Sequence, residues 1–383
     1  MFKRAIQFPS APHSFFLWGP RMSGKTTVLR QCFGDAIWYD LLESDTYLRL
    51  LSSPHLLREE LLAQVKRGHA TGTVVLDEVQ KIPALLDEIH WLMGHTRLRF
   101  VLCGSSARKL RRGHANLLGG RALRAELLPL ASAEVPELDL VRALNNGLLP
   151  AHYLSEEPQE HLRAYVRDYL QEEIAAEALI RTLPAFARFL EIAALGDTEC
   201  LSFTSIARDC GVSAPTVKAY YQILEDTLLG SCVPAFRLRP KRRVIETPKW
   251  YFLDAAVAGH LARRGHVVPG SELFGKAFES FVCHELRTYA AYSRKHFDIA
   301  YWRTAGGVEV DFVLGTHTVA IEVKAVPQAR AEHARSLVSI ADEYSFKRRL
   351  LVTLDTAPRL LESGIEVLPW REFCLRLWAG EVI

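Results

Sequence analysis

The chain has 383 residues, too many for one ordinary domain, and its 49% hydrophobic and 24% charged residues are the make-up of globular protein. That composition excludes a disordered or low-complexity protein, and the formal net charge of only +3 selects no partner by itself. Seven cysteines, at 32, 103, 200, 210, 232, 283 and 374, include no C-x-x-C pair, which argues against a zinc site and a secreted disulfide scaffold. No apolar run reaches the ~18 residues of a spanning helix, and "MFKRAIQFPSAPH" has no apolar signal region, so the chain reads as cytoplasmic.

In chain order, the first element is an apolar run, Phe15 to Trp18, followed by Gly19-Pro20-Arg21-Met22-Ser23-Gly24-Lys25-Thr26 and a helical pattern from Lys25 through Thr27 to Phe33. The loop matches G-x-x-x-x-G-K-[ST] in full. Its glycines let backbone N–H groups turn toward phosphate oxygens, Lys25 reaches the outer phosphates, and Thr26 offers a hydroxyl to magnesium. ATP and Mg²⁺ are the expected ligands. "GTVVLDEVQKIP" then gives a short buried strand, Thr73 to Leu76, with Asp77 and Glu78 at its C-terminal end, where ligands gather in open α/β sheets. Asp77 is the expected metal partner, and Glu78 the residue that orients or deprotonates the attacking water.

"LRFVLCGSSARKL" reads as another buried strand, Leu98 to Cys103, whose turn places Ser105 or Ser106 near the outer phosphate. "NLLGGRALRAELLPL" brings Arg121 after two glycines. Arg121 and Arg108 are candidates to stabilise charge on the transferred phosphoryl, in cis or from a neighbouring subunit. Residues 97–124 carry eight basic side chains and no acid, either a solvated basic face or an anion site.

"LWGPRMSGKTTVLRQ", "VVLDEVQKIPALLDEIH", "FVLCGSSARKL" and "LLGGRA" together resemble the prokaryotic AAA+-type ATPases that carry a C-terminal domain of unknown function. The resemblance implies an AAA+-like P-loop core with Walker A at Gly19–Thr26, Walker B at Asp77–Glu78, a sensor serine at Ser105 or Ser106, and an arginine at Arg121. Met22 stands where that family often has a small or polar residue, a position that contributes backbone only.

The middle changes character. From Gln159, Leu162, Tyr165, Val166, Tyr169 and Leu170 repeat at three and four, so a helix is expected, with Glu172, Glu173 and Glu177 on a solvated face. "LSFTSIARDCGVSAPTVKAYYQILEDTLL" has helix-turn-helix spacing, with Gly211 at the turn and Ser213 capping the second helix. Two strand-like runs around a basic turn follow, as in a wing. For a DNA contact the candidates are Thr216 and Lys218 on the second helix and Arg239, Lys241, Arg242 and Arg243 in the turn. The alternative is a winged helix that packs as a lid or a protein contact. Residues 237–249 also carry Arg237 and Lys249 against a single acid, Glu246, again a solvated face or an anion site.

From about Leu273 a helix is expected with Phe274, Phe278, Phe281, Val282 and Leu286 on its apolar side, interrupted by Glu279 and Glu285. The strand-like runs "FDIAYWRT", "VEVDFVL", "TVAIEVKA" and "RRLLVTL" follow. Alternation puts Glu322 and Lys324 on one face, with ten residues between Asp311 and Glu322. With Glu279 this set looks like the PD-(D/E)XK nuclease superfamily, though Val310 stands where a proline often precedes the acid. The resemblance implies a second Mg²⁺ or Mn²⁺ held by Glu279, Asp311 and Glu322, with Lys324 beside the scissile phosphate.

The expected architecture is α/β throughout: a P-loop AAA+-like parallel sheet at 1–135, a helical and winged-helix middle at 136–260, and a PD-(D/E)XK nuclease-like α/β domain at 261–383. Three functions stay open: an ATPase whose cycle gates the later domains on nucleic acid, a nucleotide-switched interaction protein with an inactive nuclease-like docking domain, and a DNA endonuclease under ATP control. The partners expected are ATP, then DNA or a protein, and a second copy of the chain, with Arg121 acting either in cis or across subunits.

Overall fold

The computed structural model describes residues 2–68, 72–105, 118–173, 183–237 and 247–383, with the backbone alone at 170–173. The chain forms two compact units: a smaller one of Ile6–Leu128 with Asp226–Leu228, and a larger one of Met1–Ala5, Pro129–Glu225 and Leu229–Ile383. Among the described residues no helix is long and apolar enough to cross a membrane.

The smaller unit is built on β1 (Ser14–Trp18), β2 (Ile37–Asp40), β3 (Thr73–Asp77), β4 (Arg99–Gly104) and β5 (Ala122–Glu126), all parallel, in the order β2-β3-β4-β1-β5. The helices between them are α1 (Lys25–Cys32), α2 (Ser44–Ser52), α3 (His55–Lys66) and α4 (Leu85–His95). Strands β1, β3 and β4 are continuous apolar runs because both sheet faces are covered. Phe16, Val74, Leu76, Phe100 and Leu102 share a core with Leu85, Ile89 and Leu92 of α4 and with Leu228. Register fixes which ends meet: Trp18 lies beside Gly104, and Leu76 beside Leu102. The C-terminal ends of β1, β4 and β3 therefore form one edge, with β4 between the other two.

The larger unit begins with short helices α5 (Leu140–Asn146), α6 (Pro150–Leu154) and α7 (Pro158–Ala164). The expected helix from Gln159 is α7 followed by a π-helical stretch, Tyr165–Glu173, with Leu162, Tyr165, Val166 and Tyr169 buried. Of its expected solvated acids, Glu177 lies outside the described residues. Helices α8 (Leu183–Leu195), α9 (Phe203–Cys210) and α10 (Ala214–Asp226) follow, then β6 (Gly230–Val233) antiparallel to β7 (Lys249–Phe252), and α11 (Ala255–Leu261). Gly211 ends α9 with φ 68, a left-handed turn that glycine adopts without a Cβ penalty. Phe186, Phe189, Tyr220, Tyr221 and Trp250 pack this region into one core.

Helix α12 (Glu272–Ser293) starts where Ser271 Oγ accepts the Phe274 N–H at 3.2 Å. It lies against a six-stranded sheet of β8 (Ile299–Arg303), β9 (Glu309–Leu314), β10 (Val319–Lys324), β11 (Arg348–Thr353), β12 (Arg359–Leu360) and β13 (Glu366–Pro369), in the order β12-β13-β11-β10-β9-β8. β8, β9 and β10 form an antiparallel meander, and β10, β11 and β13 run parallel. Phe278, Phe281 and Leu286 of α12 pack with Phe312 and Ile321 on one face. Leu337 and Ile340 of α13 (Arg335–Ala341) pack with Trp302 and Val313 on the other. Helix α14 (Trp370–Trp378) closes the chain, with Phe373 and Leu377 in the α12 core.

Candidate functional site

Between β1 and α1 the loop is shaped by residues that only small or left-handed positions satisfy. A Cβ on Gly19 would fall 2.4 Å from the Leu127 carbonyl oxygen and 2.9 Å from Ser23 Oγ. Met22 has φ 65 and Gly24 φ 90, and Gly24 opens α1. Gly19, Pro20 and Ser23 are buried, whereas Arg21, Met22 and Thr27 are exposed. Lys25 is buried and donates to the Gly19 and Pro20 carbonyls at 2.9 and 3.1 Å, so its ammonium lies over the loop.

Across the sheet edge, Thr26 Oγ1 donates to Asp77 Oδ2 at 2.6 Å, and Asp77 Oδ1 accepts the Glu78 N–H at 3.0 Å. Asp77 is 1% exposed. A hydroxyl from the first turn of α1 and a carboxylate from the end of β3 thus stand side by side, hard oxygen donors of the kind magnesium takes. The set fits Mg²⁺, with Thr26 and Asp77 as the residues that would hold it. Glu78 sits at φ 58, and burial pushes its carboxyl above the usual range while Lys25 pulls it back.

Ser105, at the end of β4, is brought between the two loops. Gln80 Nε2 donates to Ser105 Oγ at 3.1 Å and also to Glu78 Oε2. Gln80 was not among the residues singled out by motif, although its place two residues after Glu78 in "DEVQ" is a signal that could have found it. Its amide is held where Gly104 leaves room: a Cβ there would lie 2.3 Å from Gln80 Oε1 and 2.7 Å from Trp18 Cζ3.

Arg121 is not brought to this edge. It immediately precedes β5, whose Ala122 lies beside Ser14 at the start of β1. The length of β1, about 13 Å at the usual strand rise, separates that edge from the loop. The Arg121 guanidinium instead approaches the last turn of α4, with Nη1 3.8 Å from where a Gly94 Cβ would be. Ser106 and Arg108 lie outside the described residues.

Residues 12–135 match the model of a family described as an AAA domain. That match covers the loop, the Asp77–Glu78 pair and Arg121, so a P-loop ATPase of AAA type is what this part of the chain is similar to. Residues 137–266 match a domain of unknown function, DUF8612, and residues 274–373 a second one, DUF4143. No curated protein matches the sequence. Among solved structures, one that is similar is described as the Aeropyrum pernix ORC1 protein in complex with DNA. It is 17% identical, with a TM-score of 0.28 over 66% of this chain and 87% of that one. At that score the fold assignment rests on the AAA-domain match and the strand order, not on the neighbour.

Within the DUF8612 segment, Thr216 is half-buried and pairs its hydroxyl with Ser213 Oγ at 2.8 Å, inside the first turn of α10. Lys218 is exposed, its Nζ 5.3 Å from the Phe203 ring centre. Arg239, Lys241, Arg242 and Arg243, between β6 and β7, lie outside the described residues.

The DUF4143 segment brings Glu279, Asp311, Glu322 and Lys324 to one side of the sheet, and Lys249 of β7 joins them. Lys249 is 2% exposed, so this member of the basic 237–249 stretch is on no solvated face. Its Nζ is 3.2 Å from Glu279 Oε1 and also pairs with Glu309. Tyr251 donates to the same Glu279 oxygen at 2.5 Å. Asp311 Oδ2 accepts the Val323 N–H at 2.8 Å, and Lys324 Nζ pairs with Glu322 Oε1 at 2.6 Å. Glu322 Oε2 is buried with no hydrogen-bond partner. Burial and then the Glu279 charge push Asp311 up to about 7, and burial and then Asp311 push Glu322 up to about 8. Burial also raises Glu279, against the pull of Lys249.

Among the described residues no group of three or more His, Cys, Asp or Glu side chains is gathered closely enough to hold a metal ion. Each acid here is committed to a protein donor: Glu279 to Lys249 and Tyr251, Asp311 to backbone, Glu322 to Lys324. The arrangement does not fit a divalent metal. Glu285, the other polar interruption of α12, is 0% exposed and takes three hydrogen bonds, from Ser132 N, Ser132 Oγ and Trp378 Nε1 at 2.7, 2.6 and 2.8 Å. It is a structural carboxylate.

Proposed function

We propose that the chain binds and hydrolyses ATP at the AAA-domain loop and uses that cycle to gate its later segments. The observation that carries this reading is the Thr26–Asp77 hydrogen bond, which joins the phosphate loop to the end of β3 beside Lys25 and Glu78. The backbone of Gly19–Thr27 cradles the phosphates, and Lys25 turns its ammonium from the loop carbonyls to the outer phosphates. Thr26 and Asp77 would hold Mg²⁺, which would supply positive charge to the phosphate oxygens. Glu78 orients the attacking water and accepts its proton, and the burial that raises its basicity suits that task. Ser105, through Gln80, links the outer-phosphate position to Glu78. Arg121, at the far sheet edge, serves a neighbouring copy's nucleotide.

In this reading residues 1–135 are the ATPase core, 136–260 a helical and winged-helix segment, and 261–383 a nuclease-like α/β domain. Thr216 and Lys218 with Arg239, Lys241, Arg242 and Arg243 are the DNA-contact candidates, and the working place is the cytoplasm. A second reading has support from a specific observation. The acids Glu279, Asp311 and Glu322 are paired within the protein, which favours a docking domain that does not cut.

The test measures ATP hydrolysis with and without DNA, and DNA cleavage with Mg²⁺ or Mn²⁺, in wild type, Lys25→Ala and Glu322→Ala. Hydrolysis is expected to vanish in Lys25→Ala and to persist in Glu322→Ala. Wild-type hydrolysis by Lys25→Ala would sink the ATPase reading. Cleavage that disappears in Glu322→Ala would restore the nuclease.

A further inference from the structure

We infer that Lys249 is the resident cation of the DUF4143 carboxylate cluster, neutralising Glu279 and Glu309 in place of a divalent metal ion. Four observations lead there. Lys249 is a long, flexible residue at the start of β7, yet it is 2% exposed. Its ammonium contacts carboxylates from two different elements, Glu279 of α12 and Glu309 of β9. It lies 5.6 Å from the Tyr301 ring centre and 6.0 Å from that of Tyr251, two electron-rich faces that suit a cation. The Tyr251 hydroxyl is spent on the same Glu279 oxygen, as an outer ligand would be.

Charge points the same way. Four carboxylates (Glu279, Glu309, Asp311, Glu322) face three cations, Lys249, Lys324 and Arg303, the last 3.3 Å from Glu309 Oε2. With every carboxyl counted as ionised, the balance is one negative charge. Without Lys249 it would be two, the charge of one divalent ion. A buried carboxylate cluster needs a counter-charge, because unpaired buried charge is strongly unfavourable. Here the chain supplies it from β7, a strand sixty residues before β9. The ammonium cannot share its place with a metal, so the wild-type cluster is closed to one. The buried Glu322 Oε2, without a hydrogen-bond partner, is the spare ligand that an open cluster would use. This deepens the docking reading and is independent of ATP hydrolysis, since its test reads a metal.

The experiment titrates Mn²⁺ into the full chain without nucleotide, followed by the electron paramagnetic resonance of free Mn²⁺. In the wild-type background, Glu279→Gln is expected to leave Mn²⁺ binding unchanged. Lys249→Met is expected to add one Mn²⁺ per chain, bound at least tenfold more tightly than anything the wild type holds in that range. Glu279→Gln within Lys249→Met should remove that ion, and Lys249→Arg should behave as wild type. An ion on the wild type that Glu279→Gln removes would overturn the inference, as would a folded Lys249→Met that binds no more Mn²⁺ than wild type. Should Lys249→Met fail to fold, the wild-type and Glu279→Gln pair decides alone: equal binding upholds the inference and unequal binding refutes it.

Discussion

Gly104→Ala puts one methyl group between the two halves of the proposed nucleotide site. The new Cβ would stand 2.3 Å from Gln80 Oε1 and 2.7 Å from Trp18 Cζ3. Both neighbours are buried, Trp18 at 3% and Gln80 at 4% exposure, so neither can swing into solvent. Relieving the closer contact to van der Waals distance takes a shift of about 1 Å. Overpacking of this kind costs ~1–3 kcal/mol. The functional cost is larger, because Gln80 Nε2 is what joins Glu78 to Ser105. A ~1 Å misplacement at a reacting centre can lower a rate by ~10²-fold. The expected result is a kcat for ATP reduced ~10- to 100-fold, a nucleotide Kd within about threefold of wild type because Lys25, Thr26 and the loop backbone are untouched, and a lower urea midpoint. Gln80→Ala removes the nearer obstacle, so Gly104→Ala should lower kcat less in that background, a non-additivity that a double-mutant cycle reads directly. A Gly104→Ala protein that loses stability but hydrolyses ATP at the wild-type rate would refute the idea that Gln80 aligns Glu78.

Asp197 is 1% exposed, accepts from Phe252 N and Ser280 Oγ at 2.8 Å each, and is pushed by burial to about 6 from an ordinary 3.8. The folded state therefore binds the proton more tightly, so its contribution to stability is full below pH ~4 and is lost as pH rises through ~6, on the order of 2–3 kcal/mol. Asp197→Asn should flatten that stretch of a stability-versus-pH curve; an unchanged slope would show that another group sets it. Ser132→Ala deletes one of the three donors to the buried Glu285 and should cost ~1–3 kcal/mol in urea unfolding; a neutral result would mean that water replaces the hydroxyl. For Arg121, mixing Arg121→Ala with Glu78→Gln chains should restore some hydrolysis, because its edge of the sheet is remote from its own loop; mixtures as inactive as their components would count against a role across subunits.

The parts of the site that were legible in the sequence are those whose chemistry is local. A phosphate loop needs its glycines, lysine and threonine within eight residues, so Gly19–Thr26 is readable as a string. Asp77 and Glu78 were readable because a short β-branched run ending in acids is itself a local pattern. What the string could not show was adjacency across strands. That β4 lies between β1 and β3, and so delivers Ser105 between the loop and Asp77, follows from pairing of residues some 25 and 85 positions apart. The same holds for Arg121, whose distance from the loop depends on the β1–β5 register. In the C-terminal part, Glu322-x-Lys324 was legible from strand alternation, and the buried face of α12 from its aromatic spacing. Lys249 was not, because a lysine among arginines at 237–249 looks like surface until β7 is seen to enter the α12 core. Glu285 likewise reads as a polar interruption until Ser132 and Trp378 arrive from distant sequence.

Leu228 belongs to the core of the smaller unit, 5% exposed, although Pro129–Glu225 of the other unit separates it from Leu128 in the chain. The smaller unit is therefore not finished when its own continuous segment leaves the ribosome. Once Leu128 is made, every described strand of the sheet is present but its core lacks one leucine, a defect worth ~2–5 kcal/mol in a packed core. The other unit waits as well, since Arg4 meets Glu134 and Tyr292 only after most of the chain is made. Synthesis order thus gives neither unit a long period of independent existence: the smaller one reaches full stability only once the helices through α10 and Leu228 have been translated.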